Sequence, residues 1–152
     1  MMKKIFLTLS IITAVICINS CTKESCNEDT DVFLHAVFYS NDSGQVSSVD
    51  SLDIYGLNIP DSVICSGSTL NNIDLPLNPS ASNCSFAIIN GGRVDTIDIY
   101  YGSRLQFVSS ACGYIYLYEL EEVLYTTNDI IKISIINEPV NPGDEENIQI
   151  FF

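Results

Sequence analysis

The sequence predicts an all-β fold, an immunoglobulin-like antiparallel β-sandwich behind an N-terminal lipoprotein signal. Three observations point there. Short β-prone runs follow one another from residue 32 to the end of the sequence. Asn, Asp, Gly, Ser and Pro separate them. No stretch of helical period exceeds ten residues outside the N-terminal apolar run.

The elements follow in order. Met1 to Lys4 form a short positive head, and Ile5 to Ile18 is an apolar run of 14 residues. That run is too short to cross a hydrocarbon core of about 30 Å as a helix. It suits the hydrophobic part of an export signal. It ends in Ile18-Asn19-Ser20-Cys21, which resembles a bacterial lipobox, although Asn19 departs from the usual small or hydroxyl residue. Cleavage before Cys21 would leave its thiol to carry lipid. The alternative is an ordinary secreted protein in which Cys21 joins a disulfide. The expected organisation is a lipoprotein signal peptide over 1–20, a flexible acidic linker over 21–31 and a β-sandwich over 32–152. Thr22-Lys23-Glu24-Ser25 resembles part of a surface-export signal of Bacteroidetes lipoproteins, with one acid after the lysine where two are usual. The expected home is therefore the cell envelope, as an outer-membrane lipoprotein, with the periplasmic face and the cell surface both open.

Charge narrows the partners. The 152 residues carry 19 acidic and 6 basic side chains, a formal charge of −13. Lys3 and Lys4 leave with the signal, so 4 basic side chains then face 19 acidic ones, a charge of −15. Such a surface repels nucleic-acid phosphates and anionic headgroups. An apolar content of 47% is too high for a disordered acidic tail.

Four cysteines remain once Cys17 is cleaved off and Cys21 is acylated: Cys26, Cys65, Cys84 and Cys112. In an exported chain an even number implies disulfides, and four allow three connectivities. The expected pairs are Cys26–Cys112, fastening the stalk to a late strand, and Cys65–Cys84, closing a short loop between neighbouring strands. A zinc site is not expected, since no two of the four have metal-ligand spacing and the chain has one histidine. That residue, His35, lies in an apolar strand pattern and reads as a strand side chain, not a catalytic base.

The expected strands are 32–40, 50–57, 62–65, 72–77, 84–90, 93–101, 104–109, 113–125, 130–137 and 147–152. In 93–101, Asp95, Ile97, Ile99 and Tyr101 share one face, and Val94, Thr96, Asp98 and Tyr100 the other. In 130–137, Ile131, Ile133 and Ile135 oppose Lys132 and Ser134. Period-two alternation of this kind marks half-buried antiparallel strands. Asn90-Gly91-Gly92 is a hairpin signal. Gly102-Ser103 reads as a second turn, and Asn141-Pro142-Gly143-Asp144 breaks the chain before the last strand. An outer-membrane barrel fits poorly, because most runs are shorter than the roughly 9–11 residues such strands need. Phe151 and Phe152 therefore read as core or sheet-edge residues.

Asn72 to Pro79, Phe107 to Tyr114, Asn128 to Asn141 and Glu145 to Phe152 resemble segments of a family of small uncharacterised Bacteroidetes lipoproteins. Its N-terminal cysteine is matched by Cys26 and its Cys-Gly step by Cys112-Gly113, which supports that disulfide. Cys65 and Cys84 look like additions of this member. The resemblance implies location and fold, and no activity.

Candidate chemistry is sparse. Glu119, Glu121 and Glu122 form one acidic cluster, and Asp144, Glu145 and Glu146 another. Paired carboxylates arise by chance in any acidic protein, so a glycosidase reading has little specificity. The second cluster lacks the alternating oxygen ligands of a calcium loop. Tyr114, Tyr116 and Tyr118 alternate along one strand and would form either a sugar-stacking strip or part of the core. Ile115 and Leu117 on the opposite face leave the inward side open. Ser51 and Ser62, in Asp50-Ser51-Leu52 and Asp61-Ser62-Val63, match a three-residue O-glycosylation pattern, as does Thr96 less accessibly. The reading is a non-enzymatic envelope lipoprotein, with no cofactor and no metal, held to the membrane by lipid and presenting its β-domain to an envelope or outer-membrane protein. The alternative is a glycan-binding module using the tyrosines.

Overall fold

The computed structural model describes residues 25–57 and 62–152. The expected signal peptide over 1–20, Cys21 and Asp61 lie outside the described residues. Ten strands appear in order: β1 (Phe33–Tyr39), β2 (Val49–Gly56), β3 (Val63–Leu70), β4 (Asn72–Pro76), β5 (Asn83–Asn90), β6 (Arg93–Ser109), β7 (Gly113–Tyr125), β8 (Lys132–Ile135), β9 (Pro139–Val140) and β10 (Ile148–Phe151). There is no helix among the described residues.

The strands form two antiparallel-rich sheets, consistent with a β-sandwich. The smaller has the order β4-β1-β10-β8 and the larger β3-β2-β5-β6-β7-β9. The last strand lies beside the first and parallel to it, with Ala36 opposite Ile148 and Tyr39 opposite Phe151. Alternation fixes what faces inward. Leu34, Ala36 and Phe38 of β1 meet Leu52 and Ile54 of β2, Ile97, Ile99 and Tyr101 of β6, and Ile148 and Ile150 of β10 in one buried cluster. Phe152 stacks edge-on against Phe38 at 5.7 Å between ring centroids. Phe151 lies against Tyr39, with the Lys132 ammonium over its ring.

The Asn90-Gly91-Gly92 signal produces a tight hairpin, in which Asn90 pairs with Arg93 and both glycines take positive φ. Gly102-Ser103 makes no turn. Strand β6 runs 17 residues through it, because Gly102 pairs with Glu119 in ordinary extended geometry. A bulge opposite Tyr100-Tyr101 places Glu121 as the extra residue on β7. Two further expectations shift. β3 extends past Cys65 to Leu70, and Ile130, not Ile131, enters the core.

Candidate functional site

The β6–β7 hairpin is the longest feature among the described residues, and its two ends differ. At the first end, Asp95 sits on the inward face of β6 and is 1% exposed. Its carboxylate accepts four hydrogen bonds. Oδ1 takes the Thr126 hydroxyl at 2.6 Å and the Asn128 amide at 2.7 Å. Oδ2 takes the amides of Asp129 and Ile130 at 2.7 and 2.9 Å. Burial alone would raise its pKa, but the four donors outweigh burial and hold it below the ordinary value. Asp129 in turn pairs with Arg93 and accepts from the Asn90 side chain. Asn128 donates to the Val94 carbonyl at 2.7 Å. Loop 126–130 is thus fastened to the 90–93 turn by side chains from both.

In the middle of the hairpin the interior holds Tyr101 and Tyr118, stacked edge-on at 5.4 Å. The Tyr101 hydroxyl donates to the Asn78 carbonyl and accepts from the Asn78 amide, both at 3.0 Å. The Cys84 sulfur lies 3.0 Å from the same oxygen. Burial first, then the Cys84 contact, pushes the Tyr101 pKa up. Tyr118 donates to the Leu77 carbonyl at 3.2 Å, and burial raises its pKa too.

Beyond this point the buried cluster gives way to exposed side chains. Leu105 pairs with Tyr116 and Phe107 with Tyr114, on the face that carries Tyr101 and Tyr118 deeper in. All four are exposed, Leu105 at 55%, Phe107 at 54%, Tyr114 at 65% and Tyr116 at 42%. Phe107 and Tyr114 stack at 5.2 Å. The turn beyond them holds Cys112, bonded to Cys26 with 4.7 Å between Cα atoms. The N-terminal stalk is therefore tied to the hairpin tip.

The sequence-derived sites fall out unevenly. The three tyrosines share a face but not an environment, since Tyr118 is 6% exposed and belongs to the core. It cannot stack on a sugar. Leu105 and Phe107, absent from that strip, complete the exposed cluster. Their alternation in 104–109 was the available signal. The Cys65–Cys84 disulfide is corrected, as both thiols are free. β2 separates their strands, and Ile54 pairs with both Cys65 and Ile88, four residues from Cys84. Two strand spacings and four residues put their Cα atoms about 16 Å apart, far past the roughly 7 Å limit. Cys65 donates instead toward the Leu52 carbonyl at 3.6 Å, and burial raises its pKa.

His35 places Nδ1 2.6 Å from Asp74 and Nε2 against the Gly143 carbonyl, so acceptors occupy both ring nitrogens. Glu119, Glu121 and Glu122 are exposed. In the other acidic cluster Glu145 accepts from the Asn137 amide, and Glu146 from the Tyr39 hydroxyl. Among the described residues no three His, Cys, Asp or Glu side chains gather where an ion could sit. A cleft of about 170 Å³ lies among Gly56, Ile64, Pro76, Asn78, Cys84 and Phe86, and its one titratable lining side chain is Cys84. Ser51 is exposed on a β2 bulge at φ 53°, whereas the half-buried Ser62 donates to the Gly56 carbonyl.

A family model matches residues 51–152, more than half of the chain. The chain belongs to DUF6452, a family of unknown function. The matched segment holds the whole β6–β7 hairpin and the Asp95-fastened loop, so the family's shared part includes both ends described above. No curated protein and no solved structure matches the chain.

Proposed function

We propose that this DUF6452 chain is a cell-envelope lipoprotein of the Bacteroidetes type, acylated at Cys21, whose immunoglobulin-like domain binds an envelope protein and has no catalytic role. One observation carries the binding reading, the Asp95 carboxylate that spends four hydrogen bonds on holding loop 126–130. Loops positioned by a rigid scaffold are where binding residues concentrate, and an ordered loop loses less entropy on docking. The loop lies at the opposite end of the hairpin from Cys112, hence far from the stalk. That polarity suits an anchored protein that reaches away from its membrane.

A photo-crosslinking side chain at Asn128, in the native membrane, tests the binding role. Capture of one envelope protein, lost when the crosslinker is moved to Glu119, is the expected result. Equal and diffuse capture at both positions would reject it. Metabolic labelling with palmitate, lost in Cys21→Ser, tests the anchor. Ser51 is the better placed of the two O-glycosylation candidates, and an intact mass equal to lipid plus polypeptide removes both.

A further inference from the structure

The exposed cluster at the hairpin tip lies close to the anchor. Four residues lie between Cys21 and Cys26, five Cα-to-Cα steps with a reach of at most about 18 Å. Cys26 is bonded to Cys112, adding 4.7 Å between Cα atoms. Phe107 and Tyr114 flank that turn. Val94, 13 residues before Phe107 on the same strand, is up to about 43 Å away. The composition fits a lipid surface. Residues 99–118 contain no Asp or Glu in a chain with 19 acids, and their single charge is Arg104. Tyrosine and phenylalanine are suited to the headgroup boundary, where an apolar ring meets a wet polar layer. The stalk acids Glu28, Asp29 and Asp31 disfavour an anionic leaflet, so the fitting surface is zwitterionic.

We infer that Leu105, Phe107, Tyr114 and Tyr116 pack into the headgroup boundary of the membrane that holds the lipid anchor, standing the domain on its hairpin tip. The inference rests on acylation of Cys21. It gives the disulfide a mechanical role, since the bridge leaves only a short tether between anchor and hairpin and so keeps the cluster at the surface.

The test uses the acylated full chain in phosphatidylcholine vesicles, with or without bromine on the acyl chains. The chain has no tryptophan, so Phe107→Trp supplies a single reporter at the tip and Val94→Trp one at the far end. Leu105→Trp is a second tip reporter that guards against a local change at 107. The tip reporters are expected to lose about half their emission to bromine, at a depth of roughly 5–10 Å, and the reporter at 94 none. Vesicles that float with the protein but leave both tip reporters unquenched overturn the inference while the anchor stands, and return the cluster to a protein or glycan partner. Equal quenching at 94 overturns the upright arrangement. Protein that does not float with the vesicles removes the anchor, and the inference falls with it.

Discussion

Tyr118 and Tyr114 lie four residues apart on the same face of β7, yet the first is 6% exposed and the second 65%. The strand geometry is the same at both. What differs is the covering, since Tyr101 and Tyr118 belong to the buried cluster and bond to Asn78 and Leu77 just past β4, whereas Tyr114 lies outside that cluster. Alternation therefore sets which way a side chain points, and the reach of the opposing layer sets whether it is core. The covered part is held by packing and by hydrogen bonds to Asn78 and Leu77. The uncovered part is held by its ladder and a single covalent bond.

That contrast is sharpest at the bridge. Cys26 and Cys112 are 86 residues apart, and closing such a loop restricts the unfolded chain by about 4–5 kcal/mol. Cys26→Ser with Cys112→Ser is expected to lower unfolding free energy by that amount, read from urea midpoints. A loss below about 1 kcal/mol would mean that packing, not the bond, secures the tip.

Tyr118→Ala comes next. It removes a buried ring stacked on Tyr101 and leaves the Leu77 carbonyl without its donor. Truncating a buried aromatic costs about 3–5 kcal/mol. Equal midpoints for Tyr118→Ala and Tyr114→Ala would break the comparison.

Asp95→Asn is smaller and depends on pH. Both carboxylate oxygens face donors, two at Oδ1 and two at Oδ2. An amide in either orientation turns its own N–H groups toward two of them, costing about 2–3 kcal/mol for buried donors left unpaired. The folded pKa lies below the unfolded value of 3.8, so the contribution of Asp95 is complete above that value and is lost as pH falls through the folded one. Wild type and variant should therefore differ most near neutral pH and converge as pH falls below the folded carboxyl's lowered pKa. A difference that stays constant down to pH 2 would assign the loss to shape instead of charge.

These effects also mark what the sequence made legible. The face shared by Asp95, Ile97, Ile99 and Tyr101 is readable from alternation, and all four are buried. An acid in that register is the clue to a satisfied internal carboxylate, although its four donors come from a loop over 30 residues later. Gly102-Ser103 mimics a turn because glycine permits positive φ, but nothing local reveals that its partner strand continues opposite. The Cys65–Cys84 expectation failed on strand order, since β2 inserts between two strands that follow it in sequence. In 113–118 both faces are apolar, so the inward side depends on the other sheet and no local pattern could supply it. Strand β9 has two residues, too few for any period.

The smallest expected effect falls on the tip. Leu105→Ser and Tyr114→Ala remove apolar side chains that are already more than half exposed, so Leu105→Ser should change unfolding free energy by no more than about 0.5 kcal/mol and Tyr114→Ala by no more than about 1 kcal/mol. Phe107 and Tyr114 stack, and an exposed aromatic pair of this kind contributes about 0.5–1 kcal/mol, so the Tyr114 variant should be the more affected. Four apolar side chains that add so little to folding expose hydrophobic surface without a structural return. A stability loss above about 2 kcal/mol for Leu105→Ser would place the cluster inside the fold's own packing. A neutral result leaves its apolar surface free for something outside the chain, the condition that an interfacial role for the tip requires.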